Sequence, residues 1–226
     1  MTEFTTWRSL VDGAEISAIP DRKDLHAHYD FSAYNETQTT DFEDLSGNGH
    51  DLENGSITGC TGDINGVQAG EFDGVDDAIW ASNTPDIWPT SIFVVHRIDD
   101  TSDRHHVIQP SSEANYLEWR NTEWSMNIQG DSDVVGSDDD TINLHSLEFN
   151  DTSKLRENGQ EVGTEDSTSA IQVLDEIGLG SQNPRFDDRF YEGAIGEVLI
   201  YQSLRDESTT NDVESYLSDK WNIDLD

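Results

Sequence analysis

Between Leu25 and Gln202, turn signals divide the chain into short segments, roughly one every ten residues, and most of these segments carry strand-like patterns. Leu25, Ala27, Tyr29 and Phe31 alternate with His26, His28 and Asp30, which gives one apolar and one polar strand face. SIFVVHRI (91–98) is a nearly continuous apolar run, suited to a strand covered on both faces. YLEWR (116–120) and EWSMNIQ (123–129) flank Asn121-Thr122 as a hairpin. TINLHSLEF (141–149), SKLREN (153–158) and QEVGT (160–164) follow. Asn158-Gly159 is the strongest hairpin signal, because a type I′ turn needs positive φ at both central residues. RFYEGAIGEVLIYQ (189–202) reads as a last strand pair or one bent strand. The pattern predicts an all-β sandwich or barrel. A short C-terminal helix closes it, with Val213, Tyr216, Leu217 and Trp221 on one face, acids in its first turns and Lys220 near its end.

A length of 226 residues fits one large domain or two small ones, and six Trp, six Tyr and eight Phe can fill a sizeable core. The charge narrows the setting: 48 acids oppose 12 bases, for a net charge of −36, and only Lys23, Lys154 and Lys220 are lysines. In ordinary buffer such a surface repels itself. At molar salt the Debye length falls to about 3 Å and the repulsion nearly vanishes. The acids are spread along the whole chain, as in proteins of haloarchaea or their viruses. Nucleic acid is excluded as a partner, since phosphate contacts need clustered Lys and Arg. Cys60 stands alone, so no internal disulfide forms. No apolar run is long enough to insert in a membrane. MTEFTTWRSL lacks the basic and apolar regions of a signal peptide, so the chain is expected to act inside the cell or to leave by another route. Residues 1–24 stand apart and read as a docking segment, with the domain proper at 25–226.

Five stretches resemble, in order, the laminin-G-like branch of the concanavalin A-like lectin/glucanase superfamily: HAHYDFS, DLSGNGHDLENG, GEFDGVDDAI, RENGQEVG and GAIGEVLIYQSLRDESTTNDVESYLSDKW. They span about residues 25–222. The resemblance implies a two-sheet antiparallel jelly-roll sandwich with a short terminal helix packed beside it. It also implies binding of glycans or proteins, often with calcium, on cell-surface or virion proteins.

GEFDGVDDAIW (70–80) packs four carboxylates between apolar residues. Glu71, Asp73 and Asp76 loosely echo the carboxylate strand of the superfamily's retaining glucanases, where the two working carboxyls stand about 5–5.5 Å apart. Asp73-Gly74 favours a turn instead, and the third position is one methylene short, so no catalytic residue is assigned. A hard cation, Ca2+ or Mg2+, suits Asp73, Asp76 and Asp77, and also Asp187 and Asp188. Acidic loops are expected everywhere at this composition, however. His26 and His28 can chelate a metal only with a third ligand, which the sequence does not supply. Trp88, Tyr116, Trp119 and Trp124 are candidate glycan platforms, although aromatics on paired strands more often face the core.

Together these features predict a non-enzymatic virion surface protein of a haloarchaeal virus, a capsid decoration, turret or tail fibre, whose lectin-like domain attaches to a host-surface glycan or glycoprotein. Residues 1–24 would hold other virion proteins, within a homo-oligomer or larger assembly. A haloarchaeal cell-surface adhesion module is the alternative, and a glycoside hydrolase acting through Glu71 is a third.

Overall fold

The computed structural model describes residues 18–81, 84, 87–109, 116–128, 132–135, 141–166, 176–181 and 189–226, with side chains except at 128 and 132–135. Its strands are β1 (Leu25–Asp30), β2 (Asn54–Ser56), β3 (Gly59–Ile64), β4 (Val67–Asp73), β5 (Ala78–Ala81), β6 (Thr90–Ile98), β7 (His105–Gln109) and β8 (Tyr116–Arg120). They continue with β9 (Glu123–Ile128), β10 (Ser132–Val135), β11 (Ile142–Phe149), β12 (Thr152–Glu157), β13 (Gln160–Asp166), β14 (Ile177–Leu179) and β15 (Glu192–Tyr201), and helix α1 (Glu207–Trp221) follows. Among the described residues they form two sheets. An eight-stranded sheet runs β13-β12-β11-β6-β15-β4-β3, with β1 also on β15. A seven-stranded sheet runs β10-β9-β8-β7-β14-β5-β2. All the pairings are antiparallel. The two-sheet sandwich with a C-terminal helix is therefore the observed architecture.

The unbroken apolar run of β6 has a packing cause. Ile92, Val94 and Ile98 enter the core between the sheets, while Phe93 and Val95 enter a second core shared with Val213, Leu217 and Trp221 of α1. Both hairpins form where the sequence places them, with φ of 53° and 70° at Asn121 and Thr122, and 49° and 88° at Asn158 and Gly159. β15 is one strand, not a pair. β6 lines one of its edges. β4 and β1 share the other, beside Glu192–Ile195 and Glu197–Tyr201 respectively. A bulge at Gly196 marks the handover, and the Trp221 ring lies so close that a Cβ there would stand 2.7 Å from it. In GEFDGVDDAIW the turn does not make a hairpin. β4 belongs to one sheet and β5 to the other, so the turn carries the chain across the sandwich.

The polar face of β1 is not a solvent face, because every residue of the strand is buried and α1 contributes its partners. Glu197 lies at the centre. It accepts hydrogen bonds from Trp221 Nε1 at 2.9 Å and Tyr216 Oη at 3.2 Å, with His28 Nε2 at 2.8 Å and Lys220 Nζ at 2.8 Å. Lys220 also reaches Asp30 at 2.6 Å. Arg156 grips Glu214 of α1 at 2.8 and 2.9 Å, and Asp206 caps the helix on Thr209 N. Residues 19–24 join the same body: Ile19 is buried in the helix-side core, Pro20 O accepts from Tyr201 Oη, and Arg205 bridges Asp21 and Asp24. Residues 1–17 of the expected docking segment lie outside the described residues. No described helix is long and apolar enough to cross a membrane.

Removing one member of this network strands a buried charge. Lys220→Ala is expected to cost about 3–5 kcal/mol of unfolding free energy in denaturant titrations at high salt. Burial pushes the Glu197 carboxyl up, but the His28 hydrogen bond and the Lys220 charge outweigh it and hold it from 4.5 down to about 2. The unfolded chain then binds more protons through that window, so the group's contribution is complete above about 4.5 and fades as pH falls toward 2. The stability gap between the native protein and Glu197→Gln is expected to close over the same range; a gap that stays constant would refute the assignment.

Candidate functional site

The β8–β9 hairpin builds one side of a polar cleft. Its positive-φ turn, Asn121-Thr122, faces the β6–β7 loop, and the cleft of about 380 Å³ is lined by Thr101, Ser102, Asp103, Arg104, Arg120, Asn121 and Thr122. The loop is tied down from within: Trp119, buried in the core, donates its Nε1–H to Thr101 O at 3.1 Å. Asp103 Oδ1 accepts the N–H of Arg104 at 2.8 Å.

Behind the cleft sits Glu118, with no exposed surface. Strand alternation explains its position, since Leu117 and Trp119 enter the core and Glu118 points the other way. Arg104 clasps it through Nε and, at 2.8 Å, through Nη2. His106 Nε2 lies 2.9 Å away and Arg120 Nη1 3.5 Å away. Burial works to raise the Glu118 carboxyl, but the His106 and Arg104 hydrogen bonds prevail and hold it below its ordinary value. Burial pushes His106 down, which keeps the imidazole neutral near pH 7, although Glu118 partly opposes the shift. The cluster thus holds fixed donors behind the cleft.

Three of the four aromatic platforms expected from sequence, Tyr116, Trp119 and Trp124, are buried. Trp119 and Trp124 are core residues in edge-to-face contact at 5.3 Å. Tyr116 is buried against the His106 ring at 4.4 Å, with Arg104 Nη2 on its hydroxyl at 3.4 Å. Trp88 is half-buried and packs on the core. Trp119, through Thr101 O, and Tyr116, through Arg104, touch lining residues from behind, and none of the four side chains lines the cleft. Arg104, Arg120 and Glu118 carried no sequence signal as a group. The strong hairpin signal at Asn121-Thr122 was the available pointer to this end of the sandwich.

Asp73, Asp76 and Asp77 do come together, with a ligand atom of each within 4.8 Å of the others. The turn already uses them. Asp77 Oδ2 accepts from Thr58 N and Thr58 Oγ1 at 2.8 Å and from Asp73 N at 3.0 Å. Asp73 Oδ1 accepts from Val75 N and Asp76 N. Asp187 and Asp188 lie outside the described residues. Glu71 is half-buried beside Arg97 at 3.8 Å, and Arg97 also holds Asp99 at 2.6 Å, so a guanidinium stands where a second working carboxyl would be sought. Neither Glu71 nor Asp73 lines the cleft. His28 finds the further ligands that the sequence did not reveal, Asp30 and Glu197, but the Lys220 ammonium serves as their cation. His26 stacks on His50 at 4.3 Å, and burial, then the His50 charge, lowers it to about 4 against the pull of Asp44.

No protein-family model and no curated protein matches the chain. Solved structures do. The botulinum neurotoxin serotype D ligand-binding domain in complex with N-acetylneuraminic acid superposes with a TM-score of 0.66 at 12% identity, over 89% of this chain and 52% of that one. Trypanosoma rangeli sialidase in complex with the inhibitor DANA gives 0.63 at 12% identity, over 86% of this chain and 33% of the enzyme. The same sialidase with sialic acid gives 0.63 at 11% identity, over 97% and 40%. At these identities the likeness establishes the β-sandwich fold alone. The chain spans about half of the neurotoxin domain, and less of the sialidase.

The acid-rich turn yields a direct test. Asp77→Ala removes the acceptor for two backbone N–H groups and one hydroxyl, and is expected to destabilise the fold by about 1–3 kcal/mol in chemical denaturation. An unchanged midpoint would show that the carboxylate does not organise the crossing.

Proposed function

We propose that the chain is a lectin-like recognition module that binds a glycan or glycoprotein without turning it over. A fold alone fixes no function, so the reading rests on the site. The observation that carries it is the polar cleft between the β6–β7 loop and the β8–β9 turn, on a scaffold like that of a domain solved with N-acetylneuraminic acid. A volume of about 380 Å³ falls in the range of small-ligand pockets. Its hydroxyl, amide and guanidinium groups are the donors and acceptors that a polyhydroxylated ligand requires.

In the same proposal, the module acts in concentrated salt on the surface of a haloarchaeal virion, with a haloarchaeal cell-surface adhesin as the alternative setting. The net charge of −36 supports the salt half of that reading. Residues 1–24 serve as the segment that docks to neighbouring subunits, and the anchoring of residues 19–24 supplies it with a fixed base. A structural Ca2+ or Mg2+ would be held by the oxygens of Asp73, Asp76 and Asp77 that the turn leaves over; the all-oxygen donor set suits such a cation. Added calcium should then raise the melting temperature of the native protein but not that of Asp76→Asn.

Glycan arrays probed in molar KCl test the central reading. Binding is expected, and the double variant Asn121→Gly, Thr122→Gly should lose it while keeping the positive-φ turn, because glycine suits both positions. Equal binding by that variant would move the site elsewhere. Circular dichroism across a salt series should show loss of structure as KCl is withdrawn.

A further inference from the structure

Of the three lysines, Lys23 is exposed and Lys154 keeps 32% of its side chain exposed beside Glu161, whereas Lys220 keeps 11%. Its Nζ stands 2.6 Å from Asp30 Oδ2 and 2.8 Å from Glu197 Oε2. Asp30 is buried, and Glu197 has no exposed surface. Three elements supply the three groups, and the pairing of β1 with β15 sets Asp30 directly opposite Glu197. The neighbouring donors hold both carboxylates in place. Asp30 Oδ1 accepts from Ser32 N at 3.0 Å and from Ser32 Oγ at 2.6 Å. Glu197 is held by His28 and Tyr216 on Oε1 and by Trp221 on Oε2. An ion pair needs only an ammonium beside a carboxylate. An amine, a carboxyl carbon and a separate proton carrier, enclosed away from water, are also the parts of an amide-forming site.

We propose that Lys220 and Asp30 condense into an intramolecular isopeptide bond, with Glu197 as the proton carrier. The ion pair described above is the precursor. Burial pushes the Lys220 ammonium down, but the Glu197 and Asp30 charges outweigh it and hold it up. Proton transfer from Nζ to Glu197 Oε2 therefore comes first and sets the pace. The freed lone pair on Nζ attacks Asp30 Cγ. The Cγ–Oδ2 bond breaks, and Oδ2 leaves as water with two of the three ammonium protons, relayed by Glu197. Nζ keeps the third. Oδ1 remains as the amide oxygen, and the Ser32 donors meet the negative charge that builds on it during attack. One positive and one negative charge cancel, so no oxidant or cofactor enters. Free amines and carboxylates in water stay ionised, but enclosure shifts the balance. Fixed orientation supplies an effective concentration on the order of 10⁵ M or more, and the neutral amide removes two charges from a buried site. The bond joins β1 to α1 and closes most of the domain into a covalent loop.

Intact-mass spectrometry of the full chain, folded in molar KCl and then denatured, reads the outcome directly. The mass is expected to lie about 18 Da, one water, below that of the sequence. Digestion should yield a branched peptide that joins the Asp30 and Lys220 segments. Lys220→Arg keeps the cation but cannot condense, and should show the full mass. Asp30→Asn should lose about 17 Da instead, because a side-chain amide releases ammonia. Glu197→Gln should form the bond roughly a hundredfold more slowly. A full mass in the native chain after prolonged incubation overturns the proposal, whether or not any variant folds. So does a water loss that survives in Lys220→Arg, which would place it elsewhere, as at an Asp-Gly succinimide. Bond formation at the native rate in Glu197→Gln overturns the role given to Glu197.

Discussion

A carboxylate withdrawn from water is stable only when donors replace the water it loses, and Glu197 has no exposed surface at all. Its partners come from opposite ends of the described chain: His28 from β1, and Tyr216, Lys220 and Trp221 from α1. Tyr216 and Lys220 are four residues apart and Trp221 follows, so one helical face presents all three. A hydrophobic substitute of the same volume can match the stability of such a network, but it lacks directional bonds. Here the directions set where α1 sits along β15. The bulge at Gly196, against the Trp221 ring, belongs to the same fit. β15 in turn borders β6, and the loop leaving β6 forms half of the cleft. The site therefore inherits its geometry from a charge buried under the opposite face of that sheet.

The distribution of bases follows from this demand. Lys220 answers Glu197 and Asp30, Arg156 answers Glu214, Arg104 and Arg120 answer Glu118, Arg97 answers Glu71 and Asp99, and Arg205 answers Asp21 and Asp24. With Lys154 on Glu161, at least seven of the twelve bases pair with acids among the described residues, several of those acids buried. Much of the remaining acid excess among the described residues is exposed. Salt screens that excess efficiently, but it screens the buried pairs far less. One composition can therefore satisfy two requirements: internal charges stay coupled while surface charges become tolerable.

Period-two alternation, the unbroken SIFVVHRI run and the Asn121-Thr122 and Asn158-Gly159 turns made the sandwich legible in the sequence. So did the apolar stripe of α1, which is stated by Val213, Leu217 and Trp221 within one short window. What escaped the sequence was long-range. The β4–β5 turn looks the same whether its strands share a sheet or cross between sheets, because local residues set the turn and distant pairing sets the sheet. His26, His28 and Asp30 read as a polar face, and a polar stripe on a strand does not announce a helix bearing lysine about 190 residues later. Tyr116, Trp119 and Trp124 read as glycan platforms, but all three side chains are buried. Large aromatics mark where a wall is built, but only the structure shows which side of the wall they occupy. Glu118 was invisible for a related reason: its neighbours Arg104 and His106 reach it only through the pairing of β7 with β8.

Under the proposed reading, salt would join the fold to recognition. In dilute buffer a chain of net charge −36 repels any acidic partner before contact. With the Debye length at about 3 Å that long-range barrier is gone, and so is any long-range attraction. Discrimination then rests on groups that touch, and touching rewards fixed donors over abundant charge. The cleft fits that regime. Glu118 fixes Arg104, Trp119 fixes the loop through Thr101, and the positive-φ turn fixes Asn121 and Thr122. Concentrated salt would relieve the repulsion of so acidic a surface while leaving these short, fixed contacts in place.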